Sequence, residues 1–184
     1  DIDKPSDYFN TVLYTGNGAV GGDSTTISSL DFAPNLVWIK NRTSSGDSTS
    51  SHALTDTVRG VTKTLSSNLN TAEATYSNAL TNFSSNGFTV SDKAIVNGNG
   101  DSLVAWNWKA GTSFTNDASA TGIGSIDSTG SVNTDAGFSI ISWSGTGSNG
   151  TIAHGLGSAP QVVLIKERNG TNNWVMSHQP LSAS

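Results

Sequence analysis

The chain repeats itself, and that repeat limits its possible folds more than any other feature of the sequence. Tyr8-Phe9-Asn10-Thr11-Val12-Leu13-Tyr14-Thr15-Gly16-Asn17-Gly18 aligns with Gly137-Phe138-Ser139-Ile140-Ile141-Ser142-Trp143-Ser144-Gly145-Thr146-Gly147. Both stretches place an aromatic, a strand-like run, a second aromatic and a Gly-x-Gly turn at the same positions. Leu30-Asp31-Phe32-Ala33-Pro34-Asn35-Leu36-Val37-Trp38-Ile39-Lys40-Asn41-Arg42 aligns likewise with Leu156-Gly157-Ser158-Ala159-Pro160-Gln161-Val162-Val163-Leu164-Ile165-Lys166-Glu167-Arg168, and His52 with His178. The first block is displaced by 129 residues and the later ones by 126, so one loop differs by three residues. The organisation that follows is a first unit over residues 1–110, a Gly/Ser/Thr/Asn-rich linker or surface wrap over 111–136, and the front part of a second, similar unit over 137–184. Half a sheet exposes edges and apolar faces. Either the chain is truncated there, or the first unit or a partner chain completes the second unit.

Period-2 alternation dominates both units, and no window sustains a helical stripe. Strands are predicted over residues 9–14, 25–27, 36–40, 52–55, 61–65, 87–90 and 103–108, then over 138–143, 151–154, 162–166 and 174–177. One short helix is predicted over 71–80. Many short strands at close spacing give an all-β chain, an antiparallel β-sandwich of the lectin-like or jelly-roll type in tandem with an incomplete second unit. Composition agrees with folding. Ser, Thr, Asn and Gly make up roughly half the chain and only 12% of residues are charged, yet five Trp, six Phe and three Tyr supply material for a core. Disorder couples low hydrophobicity to high net charge, whereas the net charge here is −5.

Composition also excludes chemistry. Apolar runs of about five residues fall far short of the roughly 20 that a membrane helix needs. The nine Lys and Arg are scattered singly, which argues against a nucleic-acid surface. With no cysteine there is no disulfide, thiolate metal site or cysteine nucleophile. Only Glu73 and Glu167 represent glutamate, so a Glu pair for glycoside hydrolysis is missing, and the Asp residues sit in turn contexts. No catalytic residue and no cofactor are expected. His52 and His178 occupy equivalent places and read as architectural, each bonding a loop carbonyl. Lys40 and Lys166 end equivalent apolar strands and read as charges that protect sheet edges. Asn97, Asn99 and Asp101 place oxygen ligands at alternate positions, which makes them a calcium candidate, although the distal bidentate Glu of a calcium loop is lacking. Trp106 and Trp108 share one face of a strand and serve either as core or as a sugar-stacking platform. Trp174 faces only Ser48 across the repeat and joins them as a candidate for ligand contact.

The stretches covering residues 7–18, 32–42 and 104–111 resemble a repeat found in tail-fibre and other virion structural proteins of marine bacteriophages. Residues 116–122 and 135–140 are similar to the linker between such repeats, and Trp174-Val175-Met176-Ser177-His178 resembles the family's next strand. The resemblance implies a lectin-like sandwich repeated along a fibre, a homo-oligomer with a trimer favoured, and contacts with other virion proteins. It further implies a place on the virion surface and host-surface glycan as a partner. It supplies no catalytic residues. The alternatives are a carbohydrate-binding module of a secreted bacterial protein and a capsid-decoration protein, with a depolymerase ranked last.

Overall fold

The computed structural model describes residues 4–19, 24–43 and 47–179. In chain order the first half carries β1 (Phe9–Thr15), β2 (Thr25–Ile27), β3 (Leu36–Asn41), β4 (Ala53–Asp56), β5 (Lys63–Thr64), β6 (Ala74–Thr75), β7 (Leu80–Ser84), β8 (Gly87–Val90) and β9 (Ser102–Trp108). The rest carries β10 (Thr112–Asn116), β11 (Ser128–Asn133), β12 (Phe138–Trp143), β13 (Val162–Ile165) and β14 (Val175–His178). Single helical turns α1 (Asp47–Ser50), α2 (Ala94–Asn97) and α3 (Ala118–Thr121) connect some of them. The chain is all-β, and its named strands pair antiparallel.

The largest sheet has the order β1-β9-β3-β4, which puts β9 at its centre although β9 is the last of the four in sequence. Its alternation explains the placement. Leu103, Ala105 and Asn107 are buried on one face, and Trp106 and Trp108 stand on the other. The inward face, with Val37, Ile39, Leu103 and Ala105, shares a single core with Ile27, Leu80, Phe88 and Val90 of the three-stranded sheet β2-β8-β7. Small side chains at Ala53, Ala79 and Ala105 let the two faces close around Phe88, which has no exposed surface. Tyr14 joins this core through its ring, and its hydroxyl donates to the Val96 carbonyl at 2.6 Å. Burial pushes that phenol well above its ordinary pKa.

Several expectations change. Residues 71–80 form no helix: Ala74–Thr75 pairs with Lys63–Thr64, and the Tyr76 amide donates to the Thr62 carbonyl. A β-branched residue followed by an aromatic favours the pleated surface, which outweighs two alanines. β7 escaped notice because a register shift between Leu80 and Asn82 breaks its alternation. The 111–136 segment, expected as a linker or wrap, contains β10 and β11, which add to β12 as a sheet ordered β10-β11-β12. Its residues are small and polar, so the pattern carries no apolar signal. Gly130 is needed there: a Cβ would lie 2.6 Å from both the Ile140 carbonyl oxygen and the Phe114 ring. Residues 151–154 form no strand beyond one parallel bridge, Ile126 to Ile152. The ends of the 1–110 and 137–184 ranges lie outside the described residues.

Candidate functional site

The outward face of the β1-β9-β3-β4 sheet collects aromatic rings. Antiparallel register sets Trp38 opposite Trp106, and Trp108 opposite both Phe9 and Leu36. The resulting ring contacts run from Phe9 to Trp108 (4.9 Å between centroids), from Trp108 to Trp38 (6.3 Å) and from Trp38 to Trp106 (5.9 Å). Phe138, from β12, stacks on Trp108 at 6.0 Å and 20°. Thr11 lies opposite Trp106 on the other side, and Leu13, on the same face of β1, is 64% exposed. This row is open along Phe9, Thr11 and Leu13 and backed by paired strands, so the rings are held without a mobile loop. The sequence placed Trp106 and Trp108 on one face. It missed Trp38 and Phe9, because only the pairing register reveals that three strands contribute.

His52 flanks the row, its ring edge-on to Trp38 at 5.6 Å. Its Nδ1 accepts the Trp38 indole N–H at 2.7 Å, while its own backbone N–H goes to Asn68 Oδ1. Burial, together with the Lys40 charge, lowers the His52 pKa, so the ring stays neutral and keeps Nδ1 as an acceptor. The histidine is architectural through an indole rather than a loop carbonyl. Lys40 does not guard an edge, since β3 lies between β9 and β4. Its Nζ donates to the Asn41 carbonyl. Lys166 Nζ reaches the carbonyls of Glu167 and Gly170, where it ties the turn after β13.

Two of the three calcium candidates, Asn97 and Asp101, bond within the protein. Asn97 is fully buried. Its Oδ1 accepts the Asn17 N–H at 3.0 Å, and its Nδ2 donates to Asn17 Oδ1 and the Ser91 carbonyl, both at 2.9 Å. Asp101 accepts from Asn41 Nδ2 at 2.6 Å and from Thr43 Oγ1 at 3.2 Å, while Asn99 is exposed. Among the described residues no group of three or more acidic, His or Cys side chains gathers as metal ligands do.

Trp174 sits elsewhere, at the junction between the two halves. Its indole N–H donates to the Ser66 and Leu69 carbonyls at 2.9 and 3.2 Å. Beside it, Arg168 pairs with Glu73 (2.8 Å), and Glu73 also pairs with Arg59 (2.9 Å), which pairs with Asp56 (2.6 Å). This chain of charges left no trace in the sequence, because Glu73 and Arg168 lie 95 residues apart. We expect Trp174→Phe to retain the fold of the first half while losing about 1 kcal/mol of local stability. Faster amide exchange confined to β13 and β14 is the readout. A shallow hydroxyl-rich groove near Trp143, Asp127 and Arg168 completes the polar surface.

A family model described as a domain of unknown function, DUF7483, matches residues 4–184. No curated protein and no solved structure matches the chain. Spanning almost its whole length, that match makes the chain a member of the DUF7483 family.

Proposed function

We propose that this chain is a non-catalytic phage virion segment, a lectin-like β-sandwich repeated along a tail fibre, whose aromatic row contributes to host-surface glycan attachment. The observation that carries the reading is the row itself: Phe9, Trp38, Trp106 and Trp108 on the outward face of one sheet. Sugar rings present flat C–H faces that stack on indoles, and each well-placed aromatic contact is worth about 1 kcal/mol. Such weak single sites suit a fibre, where several linked copies multiply the effective affinity. Thr11 and Lys40 border the rings and offer hydrogen bonds to sugar hydroxyls.

The test is a glycan panel probed with the chain tetramerised on streptavidin. We expect binding to at least one glycan class, weakened by about ten-fold or more in the Trp106→Ala, Trp108→Ala double variant. Light scattering on the untagged chain gives a threefold molar mass under the fibre reading. A strict monomer that binds glycan points instead to a carbohydrate-binding module, and a chain that binds no glycan removes the reading altogether.

A further inference from the structure

Among the described residues no strand pairs with both β12 and β13, and the first unit shows what fills the corresponding place. In the first unit β9 lies between β1 and β3 and bonds both. The aligned residues of the second unit are β12, matching β1, and β13, matching β3. Among the described residues each of these stands at an edge, with β12 pairing only with β11 and β13 only with β14. The Gln179 amide donates to the Gln161 carbonyl across the β13–β14 ladder. Because alternate residues of a strand turn their backbone groups to opposite edges, Val162 and Leu164 direct theirs to the open one. In β3 the same parity serves β9, since the Arg42 amide donates to the Ser102 carbonyl.

One side-chain contact links the two edges. Arg168, just past β13, reaches across to β12 with Nη1 3.1 Å from Ser142 Oγ. Ser142 aligns with Leu13, which in the first unit lies across β9 from Lys40. The β13 side chains beside this gap are apolar and uncovered, with Val162 50% exposed and Leu164 54% exposed. His178 adds a buried Nδ1 with no hydrogen-bond partner among the described residues. Its counterpart His52 accepts from Trp38, whose place in the second unit is taken by Leu164, a side chain with no donor.

We propose that the gap between β12 and β13 is a docking site for a β-strand of the β9 type. Such a strand alternates Leu, Ala and Asn on one face with Val, Trp and Trp on the other. In register it would bond the free edges of both β12 and β13. The place that Trp106 takes between Thr11 and Trp38 would then fall between Ile140 and Leu164. Exposed apolar edges that pair with an added strand are a recurring recognition mode.

A dye-labelled synthetic peptide with the sequence of residues 101–110 is titrated into the whole chain and followed by fluorescence anisotropy. We expect saturable one-to-one binding, weakened by about ten-fold or more when the peptide carries Asp at its Trp106 position. Leu164→Pro in the chain should weaken binding comparably, since proline removes an amide directed to the open edge while sparing the β13–β14 ladder. The peptide variant decides the matter independently of how Leu164→Pro folds. Absence of binding, or equal binding of a scrambled peptide, overturns the proposal. So does a dimer of the chain held through β13, which would make the occupant a second copy.

Discussion

Arg59→Ala is expected to lower the unfolding free energy by about 3–5 kcal/mol, the range for breaking a buried charge pair from one side. The guanidinium is almost completely enclosed. It donates Nε to Asp56 Oδ2 at 2.6 Å, Nη1 to Glu73 Oε2 at 2.9 Å and Nη2 to the Leu54 carbonyl at 2.9 Å. Alanine strips the buried Asp56 carboxylate of its cation and leaves Glu73 with Arg168 alone. Lysine should restore little, because a single ammonium cannot reach three acceptors set out for a planar fork. A urea midpoint at neutral pH measures the loss. The same cluster sets an acid limit. Burial alone would raise the Glu73 pKa, but the hydrogen bonds and charges of Arg168 and Arg59 outweigh it and hold the carboxyl below the ordinary glutamate value. A depressed folded pKa gives stability that is complete above the unfolded pKa and lost as pH falls through the folded one. Glu73→Gln should therefore flatten the acid side of the stability profile while lowering its plateau.

Asn97→Ala should cost about 3 kcal/mol, and the same amount with calcium present as with a chelator. The amide makes four bonds with no access to solvent, to the Asn17 N–H, Asn17 Oδ1, the Ser91 carbonyl and, longer at 3.4 Å, Thr25 Oγ1. Each buried polar group left without its partner costs about 1–3 kcal/mol. Thermal melts of both proteins with calcium and with EDTA separate a brace from a ligand. A brace gives a loss that ignores the ion, whereas a ligand gives a wild-type melting temperature that rises with calcium. Asp101 fits the brace, since its carboxylate joins Asn41 and Thr43 to the turn after α2.

Strands with apolar alternation were legible in the sequence to within a residue or two, as β2, β8 and β12 illustrate. β10 and β11 were not, because Thr, Ser, Gly and Asn form strands here through backbone pairing and leave no hydrophobic period to read. The aromatic row was half legible. Spacing alone puts Trp106 and Trp108 on one face, while adding Trp38 and Phe9 needs a register that joins strands about 70 to 100 residues apart in the chain. Trp174 looked like a ligand group because its aligned position in the first unit holds a serine. A side chain present in only one unit also suits a contact between the two, and its indole bonds to Ser66 and Leu69 have that character.

The five tryptophans provide the most direct test of the stacking row, through the indole N–H resonances of a nitrogen-15 labelled sample titrated with a glycan selected from the panel. The account predicts that the Trp106 and Trp108 resonances move together and saturably, while those of Trp143 and Trp174 stay in place. Movement of Trp143 alone, with Trp106 and Trp108 unchanged, would put the sugar in the hydroxyl-rich groove and contradict the account.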